Sequence, residues 1–184
     1  ICSRFVPFKG IIEFLSFYEE IERKNYKLLL IGDGKEKNRI VNFLEKKFNS
    51  SEYIYLGAVA NHEALMYISI SDLFVNFSLE YQTSVNNESY IHTETMGRSL
   101  IEAISTNVPI FSTNVGGVEE LFKECENIGV LIDDNFDLES QFVNALNINT
   151  SNNNISIYDW NILFEKYDLL FLSYYNRKKV YCFD

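Results

Sequence analysis

The chain has 184 residues, 47% of them hydrophobic, enough to bury the core of one domain but short for two. It carries 16 Lys and Arg against 26 Asp and Glu, a formal net charge of -10, which argues against a nucleic-acid or anionic-lipid partner unless a local basic patch exists. No such patch is present: Lys46-Lys47 and Arg177-Lys178-Lys179 read as solvated helix faces, and Cys2, Cys125 and Cys182 lack the spacing of a zinc site or disulfide framework.

In chain order, the sequence opens at Ile1 with neither an initiator Met nor a signal-peptide layout, and reads as a piece of something longer. Ile1 to Ser3 is expected to be the tail of a strand. "SRFVPFKG" follows, with Arg4 and Lys9 flanking a Pro ahead of Gly10, and then Ile12, Leu15, Tyr18 and Ile21 recur at helical spacing. Tyr26 to Ile31 is a strand ending in "IGDG", a glycine turn without the full dinucleotide fingerprint. A helix through Ile40, Phe43, Leu44 and Phe48, a strand Tyr53 to Leu56, a helix through Leu65 and Ile68 with Asn61 as its N-cap, and a strand Leu73 to Phe77 come next.

Residues 79–93 are polar, lack a clear period and sit after a strand's carboxyl end, so they are expected to be a loop placed to act as a lid. Beyond them lie a helix, a strand Pro109 to Ser112, the glycine turn "TNVGGVEEL" and a strand Gly129 to Ile132. That turn is either a tight connection or a place where backbone approaches a ligand. This alternation predicts βαβ units: an α/β, Rossmann-like parallel sheet with helices on both faces over residues 1–146. A polar linker over 147–157 then leads to a helix over 158–184, whose Trp160, Leu163, Phe164, Tyr167 and Phe171 exceed what one small domain can cover.

The stretch "TETMGRSLIEA", residues 93–103, carries the sharpest chemical signal. On one continuous helix Glu94 and Glu102 would stand about 12 Å apart along the axis and about 80° around it, too far to act on one small group. Gly97 allows a helix to start there instead, with Glu94 on the preceding loop. The N–H groups of Gly97, Arg98, Ser99 and Leu100 would then point outward at the positive end of the helix dipole, as a phosphate cradle. Glu102 would be placed to accept from a vicinal diol, as acidic residues do on ribose, and Glu94 to reach hydroxyls beyond the phosphates. The interval alone does not separate this from two glutamates on a surface helix, because Glu80 and Glu88 repeat it. Arg4 and Lys9, at the end of the first strand, are either a pair converging on a diphosphate or two surface cations. His62 and His92 stand alone, and no structural metal or Ser-based hydrolytic elbow is expected.

Taken in order, "SRFVPFKG", "LLLIGDG", "YIYLGAV", "SDLFVNFS", "ETMGRSLIEAISTNVPIFSTNVGGVEEL" and "GVLID" resemble the carboxyl-terminal, donor-binding domain of retaining GT-B glycosyltransferases, family four, group 1 type. The resemblance spans nearly the whole chain. It implies binding of a UDP- or GDP-hexose between two Rossmann-like domains and metal-independent, retaining transfer to a glycan or lipid acceptor, with no cofactor. By motif match it places Arg4 and Lys9 on the diphosphate and leaving group, Glu94 near the donor sugar and Glu102 on the ribose. Gly97, Arg98, Ser99 and Leu100 match the backbone that meets phosphates and ribose, and Val59 a position that touches the base.

The resemblance has departures. An extra polar stretch separates Ser78 from Glu94, leaving Glu80 as a competing acid although Gly97 favours Glu94, and Met96 stands where an aromatic is common. The family's amino-terminal, acceptor-binding domain is absent from this sequence. The chain alone is therefore expected to bind donor and transfer poorly, in the cytoplasm with at most peripheral membrane contact. A non-catalytic sugar-nucleotide-binding subunit is the alternative, and a Rossmann-type oxidoreductase lacks its Gly-x-Gly-x-x-Gly.

Overall fold

In a computed structural model of the chain, residues 1–21, 26–85, 88–94, 97–125 and 127–150 are described. They lie in a compact unit that spans Ile1–Asn153; most of the expected linker and the whole helix expected over 158–184 fall outside the described residues. Element order is a 3-10 turn (Pro7–Lys9), α1 (Ile11–Glu20), β1 (Leu28–Ile31), α2 (Lys37–Lys47), β2 (Tyr53–Gly57), α3 (Asn61–Ser69) and β3 (Phe74–Asn76). Then come β4 (Tyr81–Val85), β5 (Glu88–His92), α4 (Arg98–Ser105), β6 (Ile110–Ser112), α5 (Val118–Glu124), β7 (Gly129–Leu131) and α6 (Leu138–Leu146).

The helix-connected strands pair in parallel, as the βαβ pattern requires. β1 pairs with β2, and on the other side of β1 the opening segment forms a parallel bridge, Cys2 to Ile31. β6 pairs with both β3 and β7, aligning Phe74, Val75 and Asn76 with Ile110, Phe111 and Ser112. Successive strand residues face opposite sides. Val75 and Phe111 join one buried cluster with Phe14, Leu15 and Tyr18 of α1, Ile40 and Leu44 of α2, and Phe142 and Ala145 of α6. Phe74 and Ile110, the alternate positions, are also buried, and α4 packs on both of their strands. Helices thus cover both faces, which is why the strands read as continuous apolar runs.

Phe142 is the aromatic centre of that first face. Its ring lies 5.4 Å from Phe111, 5.9 Å from Phe17, 6.1 Å from Tyr18 and 6.3 Å from Phe14, mostly edge-on or tilted, as ring quadrupoles prefer. It ties α6 to α1 and β6 at once.

Two local expectations are corrected. Residues 79–93 are not an irregular loop: β4 and β5 form an antiparallel hairpin in which Tyr81 pairs with His92, Thr83 with Tyr90 and Val85 with Glu88. The hairpin is polar on both faces, so it buries no stripe that would reveal a period, yet Tyr81, Thr83, Val85, Tyr90 and Ile91 are strong strand formers. α3 is capped by Ala60, not Asn61; Asn61 is already helical, and the Glu63 carboxylate accepts the Ala60 N–H at 3.1 Å, so the acid three residues on supplies the cap.

Replacing Phe142 with Ala removes the ring that ties α6 to α1 and β6. We expect a loss of about 3–5 kcal/mol in unfolding free energy, read as a lower midpoint in urea denaturation at unchanged slope. A loss below about 1 kcal/mol would show that the aromatic cluster does not carry the core.

Candidate functional site

The parallel strands send their carboxyl ends, and the loops that follow, toward one edge of each sheet. Two contacts join those edges: Leu79 N donates to Phe8 O at 2.8 Å, and the Phe8 ring stacks on His92 at 5.6 Å with 9° between planes. The 3-10 turn Pro7–Lys9 after the opening segment is thereby set against both ends of the hairpin. That turn delivers Lys9.

Glu94 is the buried acid of the site, 9% exposed. Its Oε2 receives the Lys9 ammonium as an ion pair, with side chains only 13% and 10% exposed, and lies 2.9 Å from Ser78 Oγ. Its carbonyl accepts the Gly117 N–H at 2.9 Å. Gly116 has φ +63, and a Cβ there would lie 1.8 Å from that same carbonyl, so only glycine lets the β6–α5 turn close on Glu94. The "TNVGGVEEL" turn is thus a place of close backbone approach, to the chain's own glutamate. Glu80, the competing acid, is exposed.

Gly97 stands at φ 60, ψ 63 as the N-cap of α4, so the helix starts after Glu94 as glycine permits. A side chain on Gly97 would meet Leu100 Cδ1 at 2.6 Å. Of the four N–H groups expected to be free, Leu100's instead donates to Gly97 O at 2.7 Å in a tight first turn. Among the described residues, those of Gly97, Arg98 and Ser99 have no backbone partner. They face the positive end of the α4 dipole.

The other expected residues lie around this centre at varying distance. Arg4 is exposed, and among the described residues its side chain makes no ion pair. Val59 follows β2 and is half-buried. Glu102 lies in the second turn of α4, half-buried, within electrostatic reach of Cys2. Burial pushes the Cys2 thiol above its ordinary value, and the Glu102 carboxylate adds to that rise. Among the described residues no three His, Cys, Asp or Glu gather as a metal-binding group.

The support behind Glu94 is built from residues that carry no motif of their own. Ser78, Asn76 and Ser112 are buried at 0%, 7% and 0% exposure. Asn76 Nδ2 lies 2.9 Å from Ser112 Oγ, and its Oδ1 lies 3.0 Å from Ser78 Oγ. Thr113 clamps the strand end from β6: its N–H donates to Asn76 O at 3.1 Å and its hydroxyl to Ser78 O at 2.5 Å. The available signal was two polar residues, two positions apart, closing the otherwise apolar "LFVNFS".

The sequence matches the family described as "Glycosyl transferases group 1" over residues 1–155. Among relatives, it is 30% identical over 126 residues to TuaC of Bacillus subtilis (strain 168), named a "Putative teichuronic acid biosynthesis glycosyltransferase"; the match covers 68% of this chain and 27% of TuaC. It is 29% identical over 131 residues to alpha-monoglucosyldiacylglycerol synthase of Acholeplasma laidlawii, covering 71% of this chain and 29% of that protein. The chain therefore spans less than a third of these relatives. Among solved structures, AviGT4, a glycosyltransferase involved in avilamycin A biosynthesis, superposes with a TM-score of 0.60 at 17% identity over 80% of this chain and 41% of its own. Anabaena HepE in complex with UDP and glucose gives 0.58 at 18%, over 79% and 36%. Those likenesses establish the shared fold, and the sequence match over most of its length establishes that the chain belongs to the group 1 glycosyl transferases, with the carboxyl-terminal GT-B domain fold that the motifs implied.

Proposed function

We propose that this chain is the donor-binding half of a retaining glycosyltransferase, holding a UDP- or GDP-hexose for metal-independent transfer to a glycan or lipid acceptor bound by a second domain. The observation that carries the reading is the buried Lys9–Glu94 pair set beside the α4 N-terminus. A cation, an acid and N–H groups without a backbone partner among the described residues suit a charged diphosphate joined to a polyhydroxyl group.

In this reading Lys9 and Arg4 neutralise the diphosphate and the charge that grows on the leaving nucleotide as the glycosidic bond breaks. They take the part a divalent ion plays elsewhere, so no cofactor is needed. The N–H groups of Gly97, Arg98 and Ser99 meet phosphate oxygens, while Leu100, fully buried and with its N–H committed to Gly97 O, supports that turn from within the core. Glu102 accepts from the ribose hydroxyls, Glu94 from the sugar, and the backbone at Val59 flanks the base. The HepE complexes with UDP and with UDP-glucose support a nucleotide-sugar ligand on this fold. TuaC and alpha-monoglucosyldiacylglycerol synthase, by their names, favour an envelope glycan or lipid acceptor.

Titration calorimetry with UDP, GDP and their hexose conjugates is expected to show binding of one nucleotide series; heat from none of the four sinks the donor-site reading. Lys9→Ala is expected to weaken binding by about 1.5–3 kcal/mol, the worth of a hydrogen bond to a charged group. Unchanged affinity would make Lys9 a partner of Glu94 alone. Joining the chain to its acceptor domain and measuring donor turnover separates an enzyme from a non-catalytic binding subunit, which would bind the same donor and turn none over.

A further inference from the structure

Ser78 Oγ stands 2.9 Å from Glu94 Oε2 and 3.0 Å from Asn76 Oδ1, both acceptors. A serine hydroxyl has one hydrogen and cannot serve both. At full burial, one of these contacts would then be a repulsion between lone pairs. Amide nitrogen and oxygen are told apart only by what surrounds them, and turning the Asn76 amide over moves the conflict from Ser78 to Ser112, whose Oγ also lies 3.0 Å from the carbonyl of its chain neighbour Thr113; a peptide oxygen, and not the carboxylate, is then the acceptor that goes without. Nδ2 then donates to Ser78, Ser78 donates its single hydrogen to Glu94, and Oδ1 accepts from Ser112, 2.9 Å away. In that arrangement Ser112, Asn76 and Ser78 each donate one step nearer the carboxylate.

From this we propose that Ser78, oriented by Asn76 and Ser112, is a positioning residue that holds the Glu94 carboxylate in one rotamer, so that its free oxygen, Oε1, faces the donor sugar. The proposal rests on the donor-binding reading above. Three features make the relay a directed support rather than an incidental contact. The backbone beneath it is fixed, because Thr113 donates its N–H to Asn76 O and its hydroxyl to Ser78 O. Its members come from two paired strands, Asn76 and Ser112 being register partners of β3 and β6. Finally, both Ser78 and Lys9 address the same oxygen, Oε2, and among the described residues Oε1 has no hydrogen-bond partner. A carboxylate held by only one of them would turn about its terminal bond, whose rotation is soft.

The test is a double-mutant cycle on the full chain, read by calorimetry with UDP, GDP, UDP-glucose and GDP-glucose, with folding checked by urea denaturation. In whichever nucleotide series the wild type binds, Ser78→Ala should lower affinity for the sugar conjugate by about tenfold and leave the bare nucleotide within about twofold. In a Glu94→Ala background the same change should add nothing, because its effect runs through Glu94. Asn76→Ala should show the same dependence on Glu94 and serves if Ser78→Ala does not fold. Equal losses with and without Glu94, or unchanged conjugate affinity in Ser78→Ala, overturn the positioning role while the donor-site reading stands. A wild type that binds none of the four ligands overturns both.

Discussion

A carboxylate taken out of water must be matched, and the burial of Glu94 is the constraint around which this edge of the molecule is built. An ionised group buried without partners costs several kcal/mol, so its position is defined by what surrounds it. Lys9 supplies the opposite charge and Ser78 a hydroxyl, while the Gly116–Gly117 turn takes up the backbone carbonyl. These groups come from the 3-10 turn, the end of β3 and the β6–α5 connection. No two are neighbours in sequence. The site is thus a product of the sheet order, which brings separate strand ends to one place.

The hairpin shows how such a site tolerates added chain. The polypeptide leaves the sheet at Ser78 and returns at Glu94, sixteen positions later, with their side chains 2.9 Å apart. An antiparallel pair brings its ends back together by geometry, Tyr81 standing opposite His92. The extra residues therefore extend outward while the acid stays where a short connection would put it. Phe8 against His92, and the Leu79 N–H on Phe8 O, tie the hairpin base to the turn that carries Lys9. Changes in the hairpin are consequently coupled to the cation more directly than to the acid.

Much of this was legible in the residues, and the divide follows physical lines. Strands buried on both faces announce themselves as apolar runs, and YKLLLI and the helices around it were read within a few residues. Gly97 was legible because few other residues take its backbone angles, and its place between the two acids fixed where α4 begins. The hairpin was not, because its register is set by backbone pairing and neither face leaves an apolar stripe. Leu100 misled for a different reason: a free helical N–H is assumed from position, and a tight first turn takes it up. The Asn76–Ser78–Ser112 relay has no local signature, since a polar residue at a strand's end looks the same whether it faces water or a buried acid. Glu94 and Glu80 share their spacing to a later glutamate; Gly97 favoured Glu94 in the sequence, and burial separates the two in the fold.

The pairing of Lys9 with Glu94 bears on how two opposite charges can serve one ligand. An ammonium has three hydrogens, and the contact with Oε2 uses one. Two remain for phosphate oxygens. Glu94 nonetheless cancels most of the positive field that Lys9 would otherwise present, so attraction of a diphosphate has to come from the α4 amino end and from Arg4, exposed and without an ion-pair partner among the described residues. Under the donor-site reading this divides the labour. Arg4 and the helix end draw the anion in, and the neutralised pair orients it, with the acid's free oxygen turned to the sugar. An uncompensated lysine would bind any phosphate; a lysine already matched by Glu94 gains most from a ligand that offers hydroxyls to the acid together with phosphate to the cation.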